Sequence, residues 1–355
     1  MLKKLAENWI CSVNPPSKAQ RATRNYLLIA LIGISLVGCG SDEIMVRKGE
    51  ILDSPYEIVI NYQGIPAGVA SDLVDQAEKK LEERYNMTAY TSDFIEDLNE
   101  DRSVPAPADF EHVAAFAETI RNATEGFYDY RQGGVRELWK LYNRKPKPPA
   151  PAELATALAD AQSTVLEVRN GTATVSGRGI IDFGMLAEGS AVDYAAGVLL
   201  GGGIPKGRVS LGRVSRSWGG ENEQKFLWET VLPPLPGDSM FKVITPPDGS
   251  IAFNHPSLNC FELNDRQRTR LLDPFTGQLS DSAIVAVGWA EEAAVAGAYA
   301  EAFFVMGRRN VFTWIERHQP AGAYLIYKNQ SDGMILGETD AHLAECVSDS
   351  LPFER

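Results

Sequence analysis

Hydrophobic and polar positions alternate along this chain with two different periods, and the switches between them mark its elements. Residues 56–62 (YEIVINY) alternate and are β-branched, which predicts a strand. Val69, Leu73, Val74, Ala77, Leu81 and Tyr85 recur at helical spacing with Glu and Lys between them, predicting a helix over 69–85. A second amphipathic helix is expected over 108–124, with Asp109 and Glu111 in a first turn whose dipole favours acids. Residues 144–151 (RKPKPPAP) are proline-dense and read as an extended connection, followed by a helix over 152–161. Segments 163–168 and 172–175 flank Asn170-Gly171 and predict a hairpin. A helix over 190–200 precedes Gly201-Gly202-Gly203, and short strands are expected at 208–211, 226–231 and 282–287. An Ala-rich helix over 291–306 is expected to stop at Gly307. Segments 323–328 and 333–336 read as a closing hairpin. Strands and helices mix without strict β-α alternation and without a repeat, which favours an α+β fold over a doubly wound parallel sheet.

The N-terminus carries a different signal. Residues 1–24 hold Lys3, Lys4, Lys18, Arg21 and Arg24 against Glu7, and the 12 residues 26–37 are uncharged and apolar. A spanning helix needs about 20 apolar residues, so the run fits a secretory signal better than a membrane span. Leu36-Val37-Gly38-Cys39 resembles a bacterial lipobox, which implies cleavage before Cys39 and a lipid on its thiol. The expected organisation is a signal over 1–38, a polar tether over 39–50 and one domain over 51–355. The expected location is a bacterial membrane, facing the periplasm or cell exterior. After residue 38 the chain holds 29 basic and 46 acidic side chains, a net charge of −17, which argues against a nucleic-acid partner. Cys260 and Cys346 are then the remaining cysteines, one pair at most and not a disulfide framework. The four histidines, His112, His255, His318 and His342, are scattered, and none sits in a nucleophile motif.

Two clusters of glycine and acid stand out. Residues 180–193 (IIDFGMLAEGSAVD) place Gly184 and Gly189 ahead of the predicted helix, where backbone N–H groups can hold a phosphate. Residues 271–277 (LLDPFTG) present Asp273 and Thr276 together in a turn closed by Gly277.

Taken in order, these segments resemble the FAD:protein FMN transferases (ApbE-like). Residues 87–99 (MTAYTSDFIEDLN) look like that family's S-T-Y…S-E-I…L-N stretch, keeping Tyr90 and Asn99. Residues 124–139 look like T-G-G-x-F-D-P…L-W, keeping Asp129 and Trp139. Residues 181–196 resemble L-D-L-G-G-I-A-K-G-Y-A-V-D-x-A-A, 209–213 (VSLGR) resemble V-N-x-G-G, 270–277 resemble H-I-I-D-P-x-T-G, and 296–307 resemble A-D-A-L-A-T-A-L-F-V-L-G.

The resemblance implies mixed sheets with flanking helices around a nucleotide cleft. It also implies that FMN passes from FAD to a threonine of an acceptor flavoprotein, with Mg²⁺ assistance. It places Asp273 and Arg270 at the catalytic positions. Tyr90, Gly184, Glu188, Gly189, Asp193, Gly212, Arg213, Thr276 and Gly277 fall at nucleotide-binding positions, and Glu301 with Ala187 at metal-binding ones. This chain departs from the pattern at the chemistry. The family lysine is Glu188, the second glycine of the G-G pair is Arg213, the histidine is Arg270, and the metal-ligating Asp and Thr are Gly297 and Glu301. The early M-G-T is Asp53-Ser54-Pro55, and an S-G ahead of the Asp-Pro motif is replaced at Asn254-His255. Two readings stay open: a transferase with a rewired site, or a catalytically degenerate relative that binds a flavin nucleotide or serves as a scaffold. A nucleotide pyrophosphatase in the same cleft and a purely structural lipoprotein are the lesser alternatives.

Overall fold

Strand formation begins earlier than the hydrophobic pattern suggests. In the computed structural model, which describes residues 43–350 apart from 143–145, 220–229, 233–240, 245–247, 256–259, 264–265, 319, 329–334, 342 and 345–346, residues 44–50 are not a tether. They belong to β1 (Ile44–Ile51), paired antiparallel along its whole length with β2 (Ser54–Asn61). Arg47, Lys48 and Glu50 hide this strand from a pattern search. The same charges suit a sheet edge, where they discourage pairing with another chain. Arg47 reaches across to Glu78 at 2.6 Å and Asp75 at 2.7 Å. Cys39, the signal segment and Cys346 lie outside the described residues.

The chain continues through helices α1 (Ala67–Thr88) and α2 (Asp93–Asp101), strand β3 (Ser103–Pro105), and helices α3 (Phe110–Ala123), α4 (Gly133–Leu138) and α5 (Pro151–Ser163). A hairpin, β4 (Val165–Arg169) and β5 (Thr172–Ser176), leads to α6 (Met185–Gly201). Then come β6 (Lys206–Leu211), β7 (Val214–Trp218), β8 (Thr230–Leu232), β9 (Phe241–Ile244), β10 (Gly249–Asn254), β11 (Cys260–Leu263), β12 (Arg266–Thr269) and β13 (Val285–Ala290). Helix α7 (Ala293–Ile315) precedes β14 (Gly322–Lys328), β15 (Ile335–Thr339) and β16 (Val347–Ser350). The main sheet has eight strands in the order β1-β2-β6-β7-β10-β13-β14-β15, and every neighbouring pair is antiparallel. One face of this sheet carries α6 and α7, with α1 packed along α6. The other face holds a smaller cluster, Ile251, Val285, Val287, Tyr324 and Ile326, under Leu232 and Ile244.

Three expected boundaries move, each for a packing reason. Helix α6 starts at Met185, five residues before the predicted start, so Gly189 lies inside the helix rather than in a phosphate-cradling turn ahead of it. A Cβ on Gly189 would stand 2.2 Å from the Ala293 carbonyl oxygen, so the glycine lets α6 lie against the start of α7. Gly307 is a kink with φ 67° and ψ 174°, not a stop. The helix resumes beyond it because Val311, Trp314 and Ile315 are buried. Strand β13 runs three residues later than expected, where all six residues are buried. The strands expected at 226–231 and 333–336 are described only from Thr230 and from Ile335 onward, respectively.

Asp193 is the joint between the two central helices. Its Oδ1 and Oδ2 accept the Ala293 and Ala294 backbone N–H groups, each at 2.9 Å, and Arg216 Nη1 donates to Oδ1 at 2.5 Å. The carboxylate thus caps α7 from the side of α6. Burial pushes its pKa up, against the opposing pull of those N–H groups and Arg216.

Replacing Gly189 with Ala is expected to cost about 1–3 kcal/mol through overpacking. Gly197, in the same helix with open space around its Cβ direction, is expected to gain up to about 1 kcal/mol on the same change. Urea unfolding of both variants checks the contrast. Asp193→Ala is expected to lose about 3 kcal/mol, because it strands Arg216 and two helix N–H groups, while Asp193→Asn loses less. Thermal unfolding reads the order of the two.

Candidate active site

The segment before α6 is pinned from three sides. Asn99 holds Ile181 in both directions, donating to its carbonyl at 2.9 Å and accepting its N–H at 2.8 Å. The Asp182 N–H donates to the Tyr130 carbonyl at 2.7 Å, and the Tyr128 hydroxyl donates to the Phe183 carbonyl at 3.0 Å. The chain then turns at Gly184, whose φ of 55° and ψ of −136° are open to glycine alone in practice. The Gly184 N–H donates to Asp182 Oδ1 at 3.0 Å, and a Cβ here would stand 2.5 Å from Glu301 Oε1. The next N–H, Met185, donates to that same Glu301 oxygen at 3.0 Å. The helix start expected to cradle a phosphate therefore has one of its donors occupied by the protein's own carboxylate.

Arg136, from the short helix α4, faces both acids. Its Nη1 lies 3.4 Å from Asp182 Oδ2 and its Nη2 lies 3.5 Å from Glu301 Oε2. Burial opposes the arginine's charge, but Asp182 and Glu301 outweigh it and hold the guanidinium pKa above its ordinary value. Burial pushes the Glu301 pKa up, countered by Arg136, Arg213 and the Met185 N–H. Tyr142 donates to Asp182 Oδ2. Tyr90, which the resemblance places at a nucleotide-binding position, stacks on Tyr142 with ring centroids 4.2 Å apart and planes 9° from parallel, and its hydroxyl donates to Glu137 at 2.5 Å. Beside Arg136 and Glu301 a cavity with space for about one water is bordered by Asp129, Gln132, Leu271, Leu272 and Pro274. Both amide atoms of Gln132 and the Nε of Arg136 are buried there without a hydrogen-bond partner among the described residues.

The two substitutions that most disturb the sequence pattern meet each other. Glu188 Oε2 accepts the Arg213 backbone N–H at 2.9 Å, and its Oε1 lies 3.5 Å from Arg213 Nη2. Arg213 Nη1 also donates to Asn254 at 2.6 Å, and the Asn254 amide donates to the Ala300 carbonyl at 3.0 Å. Gly212 opens the two-residue turn between β6 and β7, and a Cβ on it would stand 2.6 Å from Glu188 Oε2. Arg213 is thus committed within the protein rather than extended toward a ligand phosphate.

The Asp-Pro turn is intact. Asp273 Oδ1 accepts the Phe275 N–H at 2.8 Å and the Thr276 N–H at 3.4 Å, and the Gly277 N–H returns to the Asp273 carbonyl at 2.7 Å. Trp139 donates its indole N–H to the Gly277 carbonyl at 2.8 Å, anchoring the turn on the cluster of Val135, Leu141, Leu154 and Phe261. Thr276 is exposed, and its hydroxyl accepts the Gln278 N–H at 3.3 Å. Arg270 donates to the Leu141 carbonyl and lies 5.7 Å from the Phe261 ring centroid.

The structure therefore gathers Gly184, Glu188, Gly212, Arg213 and Glu301 around one point. Asp273, Thr276 and Gly277 share the neighbouring turn. Gly189 and Asp193, expected at nucleotide-binding positions, serve helix packing in this structure. Sequence reasoning missed Arg136, Asp182, Tyr142, Gln132 and Asn254. One signal was available. Glu188 and Glu301 add acids at positions the family leaves neutral or basic, and buried acids require cations. Arg136 and Arg213 are those cations.

The metal assignment to Glu301 and Ala187 does not fit this geometry. Glu301 Oε1 is taken by the Met185 N–H and Oε2 faces a guanidinium. Ala187 lies inside α6, where its carbonyl belongs to the helix's own i→i+4 ladder. Among the described residues no group of three or more His, Cys, Asp or Glu side chains is placed to hold a metal ion.

Comparison with known proteins places this frame. The chain is 25% identical over 346 residues to the FAD:protein FMN transferase of Vibrio cholerae serotype O1, covering 93% of this chain and 99% of that one. Its fold is similar to the flavin transferase ApbE from Vibrio cholerae, with a TM-score of 0.72 at 20% identity over 86% of this chain and 99% of that one. It is also similar to the apo flavinyl transferase ApbE of Pseudomonas stutzeri, with a TM-score of 0.70 at 18% identity over 86% and 97% of the two chains. The family model described as the ApbE family matches residues 52–326, more than half of the sequence, so this chain belongs to the ApbE family.

Proposed function

We propose that this chain is an FAD:protein FMN transferase that moves FMN from FAD to a threonine of an acceptor flavoprotein. The threonine oxygen attacks the phosphorus on the FMN side of the pyrophosphate. The bond from that phosphorus to the bridging oxygen breaks, AMP leaves with the electron pair, and the hydroxyl proton passes to a base. The observation that carries this reading is the intact Asp273–Gly277 turn beside the Glu301 cluster in a chain matched to the ApbE family over 52–326. Asp273 is the candidate base. Its turn fixes one oxygen, and the residue is only partly buried. Magnesium assistance, which the family resemblance implies, enters no step here because its ligands do not fit. The proposal includes the export signal and the lipid on Cys39, which would hold the domain at a membrane facing acceptor flavoproteins outside the cytoplasm.

A second reading is favoured by two features of the site. The cavity beside Arg136 has space for about one water, and Tyr142 covers the face of Tyr90. A degenerate relative that binds a flavin nucleotide without transferring it fits those two observations.

Purified protein, FAD and an acceptor domain bearing the threonine are mixed, and flavin fluorescence is read on the acceptor in a denaturing gel. Transfer predicts a fluorescent acceptor, and Asp273→Asn is expected to slow labelling by about 100-fold or more. An unlabelled acceptor despite FAD binding supports the degenerate reading, and neither labelling nor binding eliminates both.

A further inference from the structure

Two buried carboxylates and one guanidinium meet where α6 begins against α7. Gly297, at the position where the resemblance implies a metal-ligating acid, has no donor atom to offer. A Cβ there would stand 2.4 Å from the Met185 carbonyl oxygen, so the space for a longer side chain is closed by backbone. Glu301 Oε1 is used by the Met185 N–H, and the other Glu301 oxygen and Asp182 Oδ2 both face Arg136, at 3.5 and 3.4 Å.

We infer that Arg136 is the fixed cation of this site, standing in place of a divalent metal ion, and that the chain engages a flavin nucleotide independently of Mg²⁺. The statement about the nucleotide rests on the proposed FMN transfer; the statement about the cation does not. A guanidinium stays charged throughout the physiological pH range and is not removed by chelation. It also repels a divalent ion approaching the same two carboxylates. Its Nε–H and the Gln132 amide are unpartnered among the described residues, and both residues line the adjoining cavity, so hydrogen-bonding capacity remains for an oxygen of a ligand. Arg136 would therefore supply the positive charge, while Asp182 and Glu301 hold it in position rather than bind an ion themselves.

The test titrates Mg²⁺ and Mn²⁺ separately into the full-length chain and into its R136M and R136K variants, reading thermal unfolding and calorimetric binding. The wild type and R136K are expected to show no saturable ion binding. R136M leaves the two carboxylates unpaired and is expected to gain an ion-dependent rise of roughly 2–4 °C. FAD affinity of the wild type is expected to change by less than about twofold between EDTA and millimolar Mg²⁺. Saturable ion binding by the wild type overturns the inference, as does a loss of FAD affinity of about tenfold in EDTA. A folded R136M with no ion response overturns the claim that Arg136 holds a cation's position. If R136M does not fold, the wild-type and R136K titrations decide. If FAD binds in neither buffer, the transferase reading fails, while the ion titrations still decide the role of Arg136.

Discussion

The hydrogen bond from the Met185 N–H to Glu301 is the constraint around which the site is organised. It can form only because two helices cross at backbone contact, with Gly189 against Ala293 and Gly297 against Met185. It also needs the turn at Gly184, which leaves no room for a Cβ over the carboxylate. Once Glu301 is drawn under the helix start it is buried, and a buried carboxylate without a cation is expensive. Arg136 answers that demand from α4, and Asp182 with Tyr142 fixes the guanidinium from the other side. Asp193 secures the same crossing at the α7 end by capping Ala293 and Ala294.

Charge is redistributed in pairs. Glu188 stands where the family has a lysine and Arg213 where it has a glycine, and the two face each other across the β6–β7 turn. Glu301 stands where the family has a threonine, with Arg136 opposite. Each unusual acid thus faces an arginine, Glu188 facing Arg213 and Glu301 facing Arg136. This separates the frame from the chemistry. Phosphate and metal positions are rewritten, while the Asp273–Gly277 turn and its Trp139 anchor are kept.

Much of the fold was legible because period and turn chemistry agreed. The helix over Val69–Tyr85, the hairpin at Asn170-Gly171 and the α+β mixture follow from spacing and from residues that tolerate positive φ. Strand β1 escaped because edge charges interrupt its alternation. The early start of α6 escaped because glycine is ambiguous in one dimension. Gly189 has the composition of a turn, but it serves a helix contact with residues about 100 positions away. The candidate site was legible as a set of motif positions, including Asp273, Glu188, Arg213 and Glu301. Its ion pairs were not, since Arg136 and Glu301 lie far apart in sequence and nothing local to either reports the other. The resemblance directed attention to positions the family uses, and Arg136 carries its role at one the motif leaves unmarked.

The strength with which Arg136 and Glu301 depend on each other is the quantity behind this organisation. A double-mutant cycle of Arg136→Met and Glu301→Gln, read by urea unfolding without divalent ions, measures it directly. A coupling energy above about 1 kcal/mol is the predicted result, with the double variant losing less stability than the two single losses added together. Additivity within about 0.3–0.5 kcal/mol would contradict it, because the guanidinium would then be a bystander to the carboxylate beneath α6.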